Sequence, residues 1–232
     1  MTLGFATPFK SLVIGSTGAI GAAFVRALHD EPLCERVVEL NRTLDPSFDL
    51  RGEQGVENAL SKPDLAGPFD LIVDATGALT FGSTGPEKSL QALGAAALNQ
   101  SLWINCIGPA LLLKGLVPRL SSGRCIYAKL SARVGSITDN KLGGWYSYRA
   151  SKAAFNQILH TAAIEHHRRN KKAVFVALQP GTVASPLSSP FVQVSKAMGA
   201  KESVEGLLRA IGPLESMSGA HFIDFNGQSI PW

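Results

Sequence analysis

The sequence is poor in the residues that form disulfides in secreted domains or that bind metals. It has only three cysteines, Cys34, Cys106 and Cys125. Their positions show no pairwise metal spacing, and any disulfide scheme leaves one of them unpaired. We therefore expect three reduced core residues and a cytoplasmic protein. The five histidines show no spacing typical of a zinc site either, so no metal is predicted.

Long apolar runs are also missing. No run approaches the roughly 18 apolar residues of a membrane span. The first residues, MTLGFATPFKSLVIG, lack a basic region followed by a long apolar stretch and a small-residue cleavage site. The sequence thus predicts neither secretion nor membrane insertion.

The positive charge is modest and concentrated in one place. The net charge is +4, and HHRRNKK, residues 166–172, carries much of it at the end of a predicted helix. Cations at that end complement the helix dipole and stay solvated, which we favour over a nucleic-acid patch. A nucleic-acid binder would have to lose affinity steeply with salt. We expect no nucleic-acid partner.

What the chain does have is a regular alternation of short Val- and Ile-rich runs with helical stretches. Continuous apolar strands separated by helices are typical of a parallel sheet covered on both faces. A length of 232 residues suffices for one full core, so we predict a single domain over residues 1–232. The predicted fold is α/β, a doubly wound, Rossmann-type parallel sheet of about seven strands. The strands begin near Ser11, Val37, Phe69, Arg124, Ala173 and His221, with a short seventh near Ser47; the helices begin near Ala19, Pro86, Asn105, Trp145 and Glu202.

A glycine-rich turn joins the first strand to the first helix. In LVIGSTGAIG, Gly15, Gly18 and Gly21 allow a tight turn, close approach of a pyrophosphate to backbone amides, and close packing of helix on strand. The alternative is a glycine-rich turn without a ligand. No Lys-Ser or Lys-Thr pair follows, which disfavours a nucleotide triphosphatase loop. The residues expected to contact a dinucleotide here are Gly15, Ser16, Thr17, Gly18, Ile20 and Gly21.

The segment ELNRT after the second strand bears on which dinucleotide binds. An acidic residue there would accept hydrogen bonds from a free ribose 2′-hydroxyl, whereas an arginine would pair with a 2′-phosphate. Arg42, next to Asn41, favours NADP. Glu39 is the argument for NAD, but it lies earlier and within the predicted strand.

One of the three tyrosines has a lysine four residues further on. In YSYRASKAAFN, Lys152 follows Tyr148 at the spacing of one helix face, while Tyr146 has alanine at that distance. A nearby ammonium favours a phenolate and would lower the pKa of the tyrosine from about 10. The alternative is a solvated surface pair of little energetic weight.

These motifs together resemble the short-chain dehydrogenase/reductase family, and in particular its C-factor-like subgroup, which is related to small carbonyl reductases. The matching segments occur in family order and cover nearly the whole chain. They are GSTGAIG at Gly15, DATG at Asp74, WINCIGP at Trp103, LSARVG at Leu130, YRASKAAFN at Tyr148 and LQPGTVASP at Leu178.

The resemblance implies catalytic roles. Tyr148 would be the general acid that protonates a carbonyl oxygen, or the base in the reverse direction, and Lys152 would lower its pKa and bind the nicotinamide ribose. Asn105 would hold a water in the proton relay behind that lysine. The family serine falls on Ala132, so Ser131, one residue earlier, is our candidate to orient the carbonyl, with Ser136 as the alternative.

The resemblance also extends the cofactor site. It places Asp49 at the adenine, the segment Asp74, Ala75, Thr76 and Gly77 against the adenosine, and Pro180, Gly181, Thr182 and Val183 along the nicotinamide. The apolar residues Leu187, Phe191 and Val192, with Trp145, would favour a hydrophobic carbonyl compound or alcohol. We therefore predict an NADP(H)-dependent oxidoreductase, with NAD possible, forming a homodimer or homotetramer. The alternative is a nucleotide-binding signalling or regulatory protein of the same fold.

Overall fold

Six apolar segments form strands in the computed structural model, which describes residues 3–82, 85–186, 188–191 and 197–232. All six are parallel and lie in one sheet, in the order β2-β1-β3-β4-β5-β6. The doubly wound fold is confirmed. The strands are β1 (Phe9–Ile14), β2 (Cys34–Leu40), β3 (Leu71–Asp74), β4 (Cys125–Leu130), β5 (Ala173–Gln179) and β6 (His221–Asp224).

The seventh strand expected near Ser47 does not form. Residues 47–50, all described, lie in a turn instead. The Asp45 carboxylate accepts hydrogen bonds from the Ser47 amide at 3.1 Å and from its hydroxyl at 2.6 Å, and the Phe48 amide donates to the Asp45 carbonyl. An aspartate that bonds the backbone two residues on favours a turn over a strand.

The helices agree with the sequence prediction in part. Those expected near Ala19, Trp145 and Glu202 begin within two residues of the predicted positions. The helix expected at Pro86 is absent, since residues 85–89 form a loop, and Asn105 lies inside a longer helix. The α-helices are α1 (Ala19–His29), α2 (Glu53–Leu60), α3 (Ala95–Leu102), α4 (Gly108–Leu116), α5 (Tyr146–His167) and α6 (Ala200–Ile211); short 3₁₀ turns span Pro63–Leu65, Leu90–Ala92, Val117–Arg119 and Arg133–Gly135.

A π-helical turn, Trp103–Ile107, joins α3 to α4, so that residues 95–119 form one continuous helix. By length and composition this helix could cross a membrane, which corrects the expectation that no run comes close. It packs against α5 and α2 inside the fold, and those contacts account for its apolar composition. Length and hydropathy alone are weak grounds for a membrane span when a helix has such partners.

The sheet separates two hydrophobic cores. Leu12 and Ile14 point to the face covered by α2, α4 and α5, whereas Val13 points to the face covered by α1 and α6. This alternation follows from the two-residue period of a strand. All three cysteines are free, and Cys106 and Cys125 are buried as expected, but Cys34, at the start of β2, is only partly buried and is not the core residue that was predicted.

Strand β1 has β2 on one side and β3 on the other. The connections that leave β1 and β2 therefore run in opposite directions across the sheet. In an open parallel sheet the crevice at such a switch point, beyond the carboxyl ends of the strands, is where ligands bind. The first glycine turn, the end of β3 and the start of α5 all lie at that edge.

Candidate active site

The turn after β1 has the close packing that its glycines predict. Gly15 has φ +77, and its carbonyl accepts a hydrogen bond from the Gly18 amide at 3.1 Å. A Cβ at Gly21 would lie only 2.2 Å from the same carbonyl oxygen, so no larger residue fits without moving the helix. Ser16 is buried, and its hydroxyl oxygen accepts a hydrogen bond from the side-chain amide of Asn41 at 2.7 Å. The turn therefore brings the amino-terminal end of α1 close to the end of β1.

A cleft of about 500 Å³ opens beside this turn. A volume of this size falls in the range of small-molecule sites. It brings together nine of the predicted cofactor residues: Gly15, Thr17, Gly18, Asn41, Arg42, Asp49, Ala75, Thr76 and Gly77. The predicted residues Ser16, Ile20, Gly21 and Asp74 do not line it. Among the residues that do line it but were not named from the sequence are Phe48, Leu50, Arg51, Phe81 and Ile104.

Two arginines lie at the rim of the cleft. Arg42 is exposed at the end of β2, as predicted. Arg51 forms a two-pronged ion pair with Asp49, with Nη2 to Oδ2 at 2.6 Å. The hydrogen bonds from Arg51, together with the nearby charge of Arg42, hold the pKa of the Asp49 carboxyl below its usual value. Asp49 is thus an ionised hydrogen-bond acceptor. Its partner Arg51 is only two residues away in the sequence, and this spacing could have predicted the ion pair.

The end of β3 contains a buried ion pair that the sequence analysis missed. Lys129, on β4, donates to the Asp74 carboxylate at 2.9 Å, and the two side chains are 1% and 0% exposed. The same ammonium donates to the Thr76 carbonyl at 2.6 Å and to its hydroxyl at 2.9 Å. The Thr76 amide in turn donates to Asp74 at 2.9 Å. This network fixes the turn Asp74–Gly77.

Tyr148 and Lys152 share one face of α5, as predicted. The ammonium of Lys152 lies 5.6 Å from the centroid of the Tyr148 ring and donates to the Leu130 carbonyl at 3.1 Å. A Cβ at Gly77 would lie 3.2 Å from that ammonium and 3.2 Å from the Asn105 amide oxygen. Lysine and asparagine therefore converge on Gly77, at the end of β3.

The protonation of this pair differs from the expectation drawn from the sequence. Burial raises the pKa of Tyr148 to about 12, the opposite of the predicted lowering. Burial, reinforced by the positive charge of Lys129 and opposed by Asp74, lowers the pKa of Lys152 to about 7. The physical reason is that desolvation disfavours the charged form of each group. The protein side chains alone thus favour a neutral phenol.

Asn105 lies in the π-helical turn and is fully buried. Its amide oxygen accepts from the Ala78 amide, and its amide nitrogen donates to the Ala78 carbonyl, both at 2.9 Å. The asparagine therefore ties the helix to the loop that follows Gly77. Its proposed hold on a water stays a prediction.

The two candidate serines have different partners. The Ser131 hydroxyl donates to the Asn156 amide oxygen at 2.7 Å. Asn156 lies two helical turns beyond Tyr148, about 12 Å along the axis of α5. The Ser136 hydroxyl accepts from the Asp139 amide at 3.0 Å, which leaves its own proton free. The role of Ser131 stays a prediction, and its hydroxyl proton is already engaged away from Tyr148.

The amino-terminal end of α5 is held by a residue 60 positions earlier in the chain. The Glu87 carboxylate accepts hydrogen bonds from the Ser147 hydroxyl and, at 3.1 Å, from the Ser147 amide. The Trp145 amide, in a residue with φ 54, donates to the Glu87 carbonyl. Burial raises the pKa of Glu87, but these hydrogen bonds outweigh it and hold the pKa below its usual value. A carboxylate at the start of a helix also complements the dipole.

Two aromatic rings lie near Tyr148 at the amino-terminal end of α5. The Trp145 ring lies 6.2 Å from Tyr148 and 5.5 Å from Phe191, both edge to face. Leu187 and Val192, the other residues of the expected apolar lid, lie outside the described residues. Of the expected nicotinamide segment, Gly181 has φ +75, and the Thr182 carbonyl accepts a hydrogen bond from Met198. The described residues hold no group of three metal-binding side chains.

Comparison with known proteins places the chain. A family model described as short chain dehydrogenase matches residues 10–195. The C-signal protein of Myxococcus xanthus is 30% identical over 72% of this chain and 94% of its own. A 1-hydroxy-2-glutathionyl-2-methyl-3-butene dehydrogenase of Rhodococcus sp. (strain AD45) is 27% identical over 95% of this chain and 98% of its own.

Solved structures share the fold at low identity. An NADPH-bound carbonyl reductase from chicken fatty liver superposes with a TM-score of 0.83 at 20% identity, covering 99% of this chain and 96% of its own. The carbonyl reductase Sniffer of D. melanogaster gives a TM-score of 0.81 at 20% identity over 97% of this chain and 100% of its own. The chain belongs to the short-chain dehydrogenase/reductase family of oxidoreductases.

Proposed function

We propose that the chain is an NADP(H)-dependent reductase that converts a hydrophobic carbonyl compound to an alcohol. The observation that carries this proposal is the convergence of Lys152 and Asn105 on Gly77, a lining residue of the cleft, with the Lys152 ammonium 5.6 Å from the centroid of the Tyr148 ring. The cofactor, when bound, would supply the hydride. The chain itself has to supply binding, orientation and a proton.

The residues present fit such a cofactor. The space that a Cβ at Gly21 would fill is taken by the Gly15 carbonyl, which is the packing that a phosphate-binding turn requires. Arg42 and Arg51 both line the cleft, and Arg51 is paired with Asp49, so Arg42 is the cation that would pair with a 2′-phosphate. The match to NADP-bound carbonyl reductases of the same fold supports the choice without deciding it.

The protonated tyrosine supports the direction that we propose, although a catalyst does not itself set the equilibrium. A general acid must hold its proton until the transition state, and burial keeps the Tyr148 phenol protonated at neutral pH. Carbonyl reduction needs this proton, whereas alcohol oxidation would need the phenolate. Lys152, held by the Leu130 carbonyl, would contact the ribose and steady the phenol as it loses its proton. We therefore propose reduction as the favoured direction.

The proposed substrate class rests on the Trp145 ring, which lies beside the Tyr148 ring and packs against Phe191. Aromatic walls bury apolar surface and provide no charged partner, so a hydrophobic aldehyde, ketone or quinone fits better than a charged acid. The test is a panel of such compounds and of charged keto acids, followed by loss of NADPH absorbance. Turnover confined to the charged compounds would contradict the proposal.

The cofactor preference has its own test. Binding of NADPH and NADH to wild type, Arg42→Ala and Arg36→Ala is measured by calorimetry. Arg36 is an exposed arginine on β2 paired with Asp64, and it serves as the matched control. We expect tighter binding of NADPH by wild type, and a loss of about tenfold for NADPH alone in Arg42→Ala. Preference for NADH would overturn the assignment.

One observation supports a second candidate, a nucleotide-binding regulatory protein. The family serine position is Ala132, and the Ser131 hydroxyl is engaged by Asn156. A similarity to the C-signal protein points in the same direction. Turnover of Ser131→Ala and Ser136→Ala separates the candidates: loss in either variant supports catalysis. Binding of NADPH without turnover of any carbonyl compound in wild type would support the regulatory candidate.

Oligomeric state and location complete the proposal. We propose a homodimer or homotetramer in the cytoplasm, consistent with three free cysteines. Light scattering after size-exclusion chromatography measures the first directly, and a monomeric mass at working concentration would refute it.

A further inference from the structure

The lysine of the proposed active site has a second lysine nearby. Lys152 lies against Gly77, and Lys129 donates to the carbonyl of Thr76, the residue directly before it. The two ammonium groups thus approach the same peptide from different elements, α5 and β4. Nothing in the proposed reaction uses Lys129, which is buried and does not itself line the cleft, although its partner Thr76 does.

Lys129 is held in place on several sides. Asp74, Thr76 and the ring of Phe155, at 5.7 Å, surround its ammonium. One Asp74 oxygen takes the bonds from Lys129 and Thr76, and the other is buried without a hydrogen-bond partner among the described residues. A buried ion pair usually adds little net stability compared with apolar residues of the same size. Its presence beside Lys152 therefore calls for another explanation.

We propose that Lys129 is a positioning residue that acts through Lys152: fixed by Asp74 and Thr76, it keeps a second positive charge beside the lysine of the proposed active site. The inference rests on the proposed function only for the role of Lys152. Repulsion between two buried ammonium groups makes the proton of either one easier to lose.

The other titratable groups around Lys152 are few. Asp74, at the end of β3, attracts its proton and opposes Lys129. Tyr148 lies one turn earlier on α5, and burial keeps it neutral. Tyr127, on β4, is fully buried with a pKa raised well above its usual value, so it carries no charge near neutral pH. Lys129 and Asp74 are thus the charged groups that decide how far the pKa of Lys152 departs from the value set by burial.

The test uses the protein without cofactor, so that it does not depend on catalysis. The protein is labelled with ¹³C at the lysine ε-carbons and titrated by NMR, and the Lys152 resonance is identified by its loss in Lys152→Met. The variant Asp74→Asn/Lys129→Met removes both charges without leaving either one buried alone. A second variant, Asp74→Asn/Lys129→Gln, keeps an amide donor for Thr76 in case the first fails to fold.

We expect the midpoint for Lys152 to move upward from about 7 in both double variants, because Lys129 lowers it by more than Asp74 raises it. It should remain below the ordinary 10.5, because burial is unchanged. The control, Lys201→Met/Glu205→Gln, removes an exposed lysine–carboxylate pair on α6 and should leave the midpoint unmoved. An unchanged or lowered midpoint in the folded double variants would overturn the proposal, whatever the protein turns out to catalyse.

Discussion

The nucleotide turn after β1 and the amino-terminal end of α5 lie at the same edge of the sheet but are held together differently. The turn is closed by backbone contacts within seven residues, such as the Gly18 amide on the Gly15 carbonyl, and one side chain, that of Asn41, ties Ser16 to the end of β2. The end of α5 depends on a side chain from a distant segment, because Glu87 reaches Ser147 across 60 residues. Local geometry thus positions the cofactor, and long-range pairing positions the proposed acid.

The difference predicts which function each region loses when it is changed. A change in the turn should affect cofactor binding and stability together, because the backbone itself is displaced. A change at α5 should affect turnover while binding persists. Tyr148→Phe, Gly21→Ala and Glu87→Ala test this separation, and Lys152→Met tests the burial of the lysine; they are given from the largest expected effect to the smallest.

Tyr148→Phe removes only the proposed acid. We expect turnover of a carbonyl substrate to fall by at least about 100-fold, as for the loss of a general acid, with NADPH affinity kept within about threefold. Steady-state kinetics and calorimetry measure the two quantities. The control is Tyr146→Phe, two residues earlier and without a lysine at the next turn, which should keep its turnover. Equal losses in both variants would mean that the ring surroundings, not the hydroxyl, matter.

Lys152→Met changes how stability depends on pH. In the folded protein the pKa of Lys152 is about 7, against an ordinary 10.5. Between these values the unfolded chain holds a proton that the folded protein has lost, so the stability of wild type relative to the variant rises with pH. The expected slope is about 1.4 kcal/mol per pH unit. Urea unfolding at pH 7, 8 and 9, without cofactor, measures it.

The matched control for that experiment is Lys114→Met, which removes an exposed lysine on α4. It should show the wild-type pH dependence. Groups that do not interact with Lys152, such as Cys125, contribute to both members of each pair, so their effects cancel in the difference. A Lys152→Met variant that tracks wild type at all three pH values would show that the lysine is not desolvated.

Gly21→Ala tests the nucleotide turn. Its Cβ would lie 2.2 Å from the Gly15 carbonyl oxygen, so the helix has to move away from the turn. We expect a loss of about 1–3 kcal/mol in unfolding free energy and at least tenfold weaker NADPH binding. Gly199→Ala, at the start of α6 with open space around its Cα, is the control and should change neither. A stable Gly21→Ala protein with normal affinity would refute the packing argument.

Glu87→Ala should give the smallest effect. It removes the acceptor of both Ser147 hydrogen bonds, and we expect a loss of about 1–2 kcal/mol and a lower kcat with little change in NADPH affinity. Glu87→Gln keeps an acceptor oxygen and should recover most of the stability. Thermal unfolding and kinetics of both variants measure this. If NADPH binding fell with kcat, the two regions would not be separable.

The sequence was sufficient for features that repeat locally. Six strands were predicted from their apolar runs, and Gly15, Gly18 and Gly21 indicated the turn because its geometry allows little else. The spacing of Tyr148 and Lys152 was enough to place both on one face of α5. The prediction of a helix at Pro86 was wrong. Residues 85–89 form a loop, and Glu87 in this loop accepts a hydrogen bond from the start of α5.

What the sequence did not reveal depends on contacts between distant segments. Lys129 lies in an apolar strand, and no residue next to it in the sequence indicates that its partner is Asp74, 55 residues earlier. The pKa of Tyr148 was expected to fall because its neighbour is a lysine, but the depth of burial, which spacing does not show, has the larger effect. The partner of Ser131 likewise emerged only when β4 and α5 were brought together.

The π-helical turn at Trp103–Ile107 has a consequence for the length of this segment. A π turn accommodates one residue more than an α turn, and one residue corresponds to about 100° of rotation around the axis. The two halves of the helix are therefore offset, so that Leu112 and Leu116 face the sheet while Asn105 faces Ala78. A chain one residue shorter here could keep only one of these alignments. The number of residues between Ala95 and Arg119 thus matters as much as their identity.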